Sequence, residues 1–305
     1  MILIANTEAE PGFSHAIDTL VAGGAALDAL VEGIGYVEAA PSVRSVGYGG
    51  WPNMVGDMEC DGAVMDGTTL SVGSVGAVPR TLHVAKLARE VMRRLPHVML
   101  TGEGARRFAS EIGFSEDNVL FPDSKRVWRE KLDGLLDDKA RAAFPNVPLI
   151  PLSNAITDPE RVRDTTVFLG IDAGGNAAVA TSTSGWAWKY PGRLGDSPIP
   201  GAGFYADSRY GVAACTHTGE MTMRCATSHA VVQGLKFGLS LDAAVERAAE
   251  DLLALRDGFI GEVVIHALDK NNKHRVVTLR GDKPVSYWFW EPGMPAPERR
   301  QSEQL

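Results

Sequence analysis

The amino-terminal half of the chain alternates between helix-spaced apolar residues and short apolar runs. Residues 2–5 are continuously apolar, as in a buried strand, and Pro11-Gly12 predicts a turn directly after them. Pro41 ends a long helical pattern, because the residue before a proline disfavours helical backbone. The predicted elements are a strand over 2–5, helices over 13–22 and 25–40, strands within 45–77, and helices over 81–94 and 103–111.

The second half begins with a weakly patterned stretch and then becomes rich in strands. Residues 115–164 combine a charged run with scattered prolines, and we expect them to form an exposed, mobile connection. Residues 172–176 read DAGGN between two apolar runs, which predicts a hairpin. The other predicted elements are strands over 167–171, 177–181, 212–215, 262–268 and 275–279, and helices over 221–237 and 241–255.

The order of these elements predicts a layered α+β fold. Helices and strands come first, a long connection follows, and then strands, helices and strands complete the chain. This is not the strict alternation of strand and helix that a parallel sheet requires. We therefore expect stacked sheets covered by helices, in a single domain over residues 1–305.

Composition and charge narrow the function classes. The 305 residues carry 30 basic and 38 acidic side chains, and a net charge of -8 would repel a nucleic-acid backbone. Cys60, Cys215 and Cys225 contain no C-x-x-C pair, so they indicate neither a disulfide framework nor a structural zinc site. The start of the chain lacks a basic leader, and no apolar run approaches the roughly 18 residues of a membrane span. We expect a cytoplasmic protein that binds neither nucleic acid nor membrane.

Common catalytic motifs are missing from the sequence. The chain has no G-x-x-x-x-G-K-[ST] loop, no H-E-x-x-H motif, no EF-hand loop and no G-x-S-x-G elbow. The nucleotide-binding, zinc-hydrolase and serine-hydrolase classes therefore lose their usual support.

Polar residues concentrate at the ends of the predicted strands in the second half. The clusters are 164–166, 181–185, 191–198 and 216–220. A fixed sheet can aim hydroxyl groups at one point, and Arg193 with Asp196 would suit a zwitterionic ligand. The same residue types also serve as ordinary strand-end and turn residues, with Arg193 and Asp196 paired at the surface. Spacing alone leaves both interpretations open.

Several stretches match one known family. They are 22–29, 45–50 with Pro52, 65–67, 75–76, 102–109, Asp164-Thr165, 181–183 and above all the block GRLGDSPIPGAG at 192–203. With these stretches the chain resembles the glycosylasparaginase (aspartylglucosaminidase) and plant-type asparaginase family of N-terminal nucleophile hydrolases. Residues 65–69 and 197–201 read in the style of the glycosylasparaginase branch. The resemblance covers most of the chain and implies a four-layer αββα sandwich.

The resemblance implies a self-processing amidohydrolase with Thr165 as its nucleophile. Cleavage between Asp164 and Thr165 would give an α subunit of residues 1–164 and a β subunit of residues 165–305. A freed α-amino group, with a pKa of about 7.7 to 8.0, is a suitable base for the adjacent hydroxyl. The implied substrate is N4-(β-N-acetylglucosaminyl)-L-asparagine, cleaved through a β-aspartyl intermediate on Thr165.

The resemblance also assigns the groups around the nucleophile. Thr183 would support Thr165, and Thr216 with the backbone N–H after it would form the oxyanion hole. The implied substrate-binding residues are Arg193 for the α-carboxylate, Asp196 for the α-ammonium, and Gly219 and His217 in the pocket wall. No metal and no organic cofactor is implied, because the base is the chain's own amine. We expect a homodimer of αβ units that acts on a small asparagine derivative.

Four positions depart from the family pattern. They are Glu8 in place of tryptophan, Arg163 in place of histidine, and Val167 and His217 in place of glycine. Glu8 prompts an alternative substrate, L-asparagine or an isoaspartyl dipeptide, for the same machinery. The other three departures prompt a second alternative, a catalytically silent homologue that acts as a binding protein.

Overall fold

The computed structural model of the protein describes residues 1–115, 119–157 and 165–305. The strands in these ranges are β1 (Ile2–Asn6), β2 (Glu59–Asp66), β3 (Ser71–Pro79), β4 (Met99–Thr101), β5 (Thr166–Ile171), β6 (Ala177–Thr183), β7 (Phe204–Asp207), β8 (Gly211–His217), β9 (Val263–Asp269), β10 (His274–Leu279), β11 (Ser286–Trp290), β12 (Glu298–Gln301) and β13 (Glu303–Gln304). The helices are α1 (Glu10–Val21), α2 (Ala26–Ala39), α3 (Val84–Arg94), α4 (Gly102–Glu111), α5 (Pro122–Asp133), α6 (Asp138–Ala143), α7 (Ile150–Ile156), α8 (Gly219–Cys225), α9 (Thr227–Lys236) and α10 (Leu241–Ala254).

The strands form two sheets. The larger has the order β12-β11-β1-β5-β6-β2-β3-β4, and the smaller has the order β13-β10-β9-β8-β7. Neighbours are antiparallel except for the pairs β3–β4 and β10–β13. The predicted hairpin at 172–176 is confirmed, and the Asp172 carboxylate closes it by accepting the N–H groups of Gly174 and Asn176 at 2.9 and 3.0 Å.

Alternation along the strands separates the core into layers. Phe168 of β5 points toward α1 and α2, whereas its neighbours Val167 and Leu169 point toward the smaller sheet. A third apolar cluster lies between the smaller sheet and helices α8 to α10. Complete burial of each such side chain contributes about 1.5–3 kcal/mol. The layered α+β prediction is confirmed as a four-layer αββα sandwich.

The expectation of an exposed connection over 115–164 holds for most of its described side chains, but this part of the segment has regular structure that the sequence pattern did not predict. It folds into α5, α6 and α7, and buries Trp128, Leu132 and Ile156 against Trp188. The indole N–H of Trp128 donates to the carbonyl of Met54 at 3.2 Å. The charged run is the solvated face of an amphipathic helix, because residues four positions apart share one helix face.

Two helix boundaries also differ from the prediction. Pro11 does not form a turn but lies in the first turn of α1, where a proline has no intrahelical hydrogen bond to lose. The helix predicted over 221–237 is two helices, α8 and α9. Ala226 separates them, because its backbone is left-handed with φ of 48°.

Candidate active site

Thr165 lies between the two sheets, immediately before β5, and is buried. Asn6, at the end of the adjacent strand β1, fixes the backbone on both sides of residue 166. Its Nδ2 donates to the carbonyl of Thr165 at 2.6 Å, and its Oδ1 accepts the N–H of Val167 at 3.0 Å. The first strand thus holds residue 165 in a defined position.

The Thr165 hydroxyl contacts the loop that carries the predicted substrate-binding residues. Its Oγ1 lies 3.1 Å from Oγ of Ser197, which is also buried. The carbonyl of Ser197 accepts a hydrogen bond from the hydroxyl of Thr181 in β6 at 2.7 Å. Ser197 therefore connects Thr165 with Asp196, its own neighbour in sequence.

Thr183 is the cross-strand neighbour of Thr165. Strands β5 and β6 pair Thr166 with Ser182, so the same register continued by one residue sets Thr165 opposite Thr183. Side chains in such a pair have Cβ atoms about 4.5–5.5 Å apart. Thr183 Oγ1 also accepts the N–H of Gly185 at 2.9 Å, which orients its hydroxyl.

Asp196 is a buried carboxylate at the base of the site. The Thr222 hydroxyl donates to its Oδ2 at 2.6 Å. Burial raises the pKa of Asp196 to about 6, although the Thr222 hydrogen bond and the Arg193 charge act in the opposite direction. A Cβ atom at Gly219 would lie 2.6 Å from Asp196 Oδ1, so only glycine allows this approach. A ligand cation beside Asp196 would stabilise its charged form.

Arg193 does not pair with Asp196 at the surface but forms an ion pair with Glu220. Its Nε and Nη2 donate to the Glu220 carboxylate at 2.7 to 3.0 Å. The guanidinium also lies over the ring of Trp186, 4.4 Å from the ring centre, which favours a fixed orientation. Glu220 thus occupies one edge of the guanidinium that was predicted to bind a carboxylate.

Asp61 contacts the loop that carries Arg193 and Asp196. It is buried in β2, and its Oδ1 accepts the N–H of Ala77 at 2.7 Å while Oδ2 accepts the N–H of Gly195 at 3.4 Å. Asp61 also pairs with Thr183 across strands β2 and β6. It therefore links the position of Thr183 to the segment between Arg193 and Asp196.

Thr216 and His217 end strand β8 on the smaller sheet. Thr216 shares the inter-sheet face of β8 with Ala214, because side chains two positions apart point the same way. Its Oγ1 lies 3.0 Å from Nδ1 of His217, whose Nε2 lies 3.8 Å from Oε1 of Glu262. A hydroxyl, an imidazole and a carboxylate thus follow one another beside the site.

Comparison with known proteins decides the family. A family profile described as asparaginase matches residues 9–274. The chain belongs to the asparaginase family. It is 36% identical over 233 residues to an N(4)-(beta-N-acetylglucosaminyl)-L-asparaginase of Elizabethkingia miricola, covering 76% of this chain and 63% of that protein. It is 32% identical over 259 residues to the protein of the same name from Rattus norvegicus, covering 81% of this chain and 75% of that protein.

Within this asparaginase-family chain, the predicted residues fall into three groups. Thr165 and Thr183 are opposite each other in the strand register of the larger sheet. Arg193 and Gly219 lie near the buried carboxylate of Asp196, and Thr216 and His217 lie at the end of β8. Asp164 and Arg163, predicted beside the scissile bond, lie outside the described residues. The prediction did not include Asn6, Asp61 and Ser197 as site residues.

Residues 1–115, 119–157 and 165–305 contain neither a metal-binding cluster nor a membrane-spanning helix. No group of three or more His, Cys, Asp or Glu side chains there could hold a metal ion. No helix in those ranges is both long and apolar enough to cross a membrane.

Proposed function

We propose that the protein is a self-processing amidohydrolase that cleaves the side-chain amide of asparagine derivatives. The observation that carries this proposal is the buried Thr165, whose hydroxyl lies 3.1 Å from Ser197 between the two sheets. Membership of the asparaginase family and the names of the two relatives support the same chemistry. The substrate that we propose first is N4-(β-N-acetylglucosaminyl)-L-asparagine.

Self-processing would create the catalyst. The Thr165 hydroxyl adds to the carbonyl of Asp164, the peptide C–N bond breaks to leave an ester, and water hydrolyses that ester. The products are an α subunit of residues 1–164 and a β subunit of residues 165–305. Asn6 favours this step, because it fixes the carbonyl of Thr165 and the N–H of Val167 just beyond the bond.

Hydrolysis would use the freed amine of Thr165 as general base. The amine takes the hydroxyl proton as Oγ1 attacks the amide carbon of the substrate, and then passes the proton to the leaving amine. Water hydrolyses the resulting β-aspartyl ester and releases L-aspartate. Thr183, opposite Thr165 in the strand register, would support the nucleophile.

The remaining site residues would bind charge. The Thr216 hydroxyl and the backbone N–H after it stabilise the oxyanion, and one such donor contributes about 10²–10³ in kcat. Asp196 holds the substrate ammonium beside Gly219, and Arg193 holds the carboxylate. Because Glu220 occupies the Nε and Nη2 edge of Arg193, the carboxylate binds at Nη1 or displaces Glu220.

A denaturing gel and a turnover assay test this proposal. The wild type should give two fragments of about 17 and 15 kDa, from 164 and 141 residues at about 107 Da each. Thr165→Ala should give one band of 32.6 kDa and no turnover, while Thr165→Ser, the matched control, should retain part of both activities. A Thr165→Ala protein that still hydrolyses asparagine amides would overturn the proposal, and an uncut, inactive wild type would support the silent-homologue alternative.

A second substrate class is favoured by Glu8. This residue lies in the 3-10 turn Thr7–Ala9 directly after Asn6. It stands where the resemblance to glycosylasparaginases implies a tryptophan, the kind of side chain that can pack on a sugar. L-asparagine and isoaspartyl dipeptides lack that sugar. Comparison of kcat/KM for glycosylated asparagine, L-asparagine and an isoaspartyl dipeptide distinguishes the classes, because the correct substrate should have the highest value.

Assembly and location belong to the same proposal. We expect a homodimer of αβ units, which light scattering on the purified protein would measure as about twice the mass of one chain. A cytoplasmic location is supported by Cys60, Cys215 and Cys225, which are all free thiols. Cell fractionation would test the location.

A further inference from the structure

His217 occupies a strained backbone position at the end of β8. Its φ is 82°, in the left-handed region that glycine adopts easily and other residues rarely adopt. A residue held in this way persists only where its surroundings fix it, and such residues cluster at functional sites.

The imidazole lies between a hydroxyl group and a carboxylate. Nδ1 lies 3.0 Å from the Thr216 hydroxyl, and Nε2 lies 3.8 Å from Glu262 Oε1. The His217 side chain is 7% exposed and that of Glu262 is 9% exposed. The carbonyl of Glu262 also accepts the N–H of Thr218 at 3.0 Å, so Glu262 is tied to the backbone that follows His217.

The protonation state of this imidazole decides where the Thr216 proton points. A hydroxyl has one proton to donate. When the imidazole is neutral with its proton on Nε2, facing Glu262, Nδ1 is an acceptor and takes the Thr216 proton. When the imidazole is charged, Nδ1–H donates to Thr216 Oγ1, and the Thr216 proton is directed elsewhere.

We propose that His217 is a positioning residue which, as an imidazolium held by Glu262, directs the Thr216 hydroxyl proton to the developing oxyanion. This inference rests on the proposed function, in which Thr216 donates to that oxyanion. It adds a pH-dependent control that a glycine at this position could not supply.

The charges around His217 agree with this role. Among the described residues, strand β9 contributes His266 and the residue before it contributes Glu262. Burial lowers the pKa of His266 to about 3, so this imidazole is neutral and adds no repulsion. The Glu262 carboxylate, 3.8 Å from Nε2, would stabilise a charged imidazole at His217.

The sign of the pH dependence follows directly. The imidazolium is lost as pH rises through its pKa, so this contribution to activity falls on the alkaline side. The amine of Thr165 must be neutral to act as base, so activity falls on the acid side, through a pKa of about 7.7 to 8.0. The wild type should therefore have a bell-shaped profile.

The test measures kcat/KM between about pH 5 and 10 with L-aspartic acid β-(4-nitroanilide). His217→Gly, which suits φ of 82°, should lose the alkaline limb of the profile. Glu262→Gln should move the alkaline limb about one pH unit lower. His15→Gln, an exposed histidine on α1, should leave the profile unchanged.

The outcomes separate this inference from the proposed function. The inference is overturned, and the proposed function is not, if the wild type is active and its alkaline limb persists unchanged in His217→Gly and Glu262→Gln. An active wild type without an alkaline limb has the same consequence. Turnover by Thr165→Ala overturns the proposed function instead. If His217→Gly fails to mature, His217→Asn, which also tolerates left-handed backbone, gives the same readout. A purely structural role would lower kcat/KM equally at every pH.

Discussion

Replacing Asp196 with asparagine should stabilise the empty protein at neutral pH while weakening its binding of an ammonium group. Burial raises the pKa of Asp196 from 3.8 to about 6. The folded state thus holds this proton more tightly than the unfolded chain, so stability is lost as pH rises from about 4 to 6. At 1.36 kcal/mol per pKa unit, the loss above pH 6 is about 3 kcal/mol.

Urea unfolding of the Thr165→Ala chain, in which no cleavage is expected, gives a direct measurement. Adding Asp196→Asn should change the free energy of unfolding little near pH 4 and raise it by about 3 kcal/mol near pH 8. Asp207→Asn is a control of opposite sign, because the Arg209 hydrogen bond lowers the pKa of Asp207. That variant should lose stability near pH 8.

Two results would refute this reasoning. One is that Asp196→Asn lowers the free energy of unfolding near pH 8, and the other is that its effect is equal at both pH values. Either result would mean that the buried charge of Asp196 does not destabilise the folded protein.

In the processing-competent chain, the same substitution should raise KM at least about thirtyfold, since loss of one partner of a buried charge pair costs 2–5 kcal/mol. An unchanged KM would exclude Asp196 from ammonium binding.

Three further substitutions test the supports of the site. Ser197→Ala should lower kcat about tenfold with little change in KM, because Thr165 loses its hydroxyl partner. Steady-state kinetics would measure this, with Ser208→Ala as the control. Equal kcat values for the two variants would exclude a role of Ser197 in supporting Thr165. Asp61→Asn should cost about 1–3 kcal/mol in urea unfolding, because one amide oxygen replaces two accepting oxygens; unchanged stability would contradict it. Trp128→Ala should expose residues 122–156 to trypsin, with a cost of about 3–5 kcal/mol; wild-type protection would contradict it.

The strands beside the site were predictable because each contains a short apolar run, 167–171 in β5 and 177–180 in β6. Strands β5 and β6 are buried on both faces, and the DAGGN turn between them fixes their pairing. Helix α5 was missed because its charges outnumber its apolar residues, although Trp128 and Leu132 are four positions apart on one face. Strand β11 was also missed, since its partner β1 lies at the opposite end of the chain.

The site was predictable only where a family motif covers its residues. Thr165, Asp196 and Thr216 entered through the family motifs, and the structure shows their contacts. Asn6 and Asp61 could not be predicted in this way. Asn6 acts on a residue 159 positions away, and this contact exists only because β1 and β5 pair.

The order of strands in the larger sheet determines what a cut after residue 164 could do to the molecule. Strands β12 and β11 would belong to the second fragment, β1 to the first, β5 and β6 to the second, and β2, β3 and β4 to the first. The two fragments would be interleaved across one hydrogen-bonded sheet, and neither could leave without breaking several strand pairs. Cleavage would thus free an amine without producing separable subunits, and dilution alone would not dissociate the enzyme.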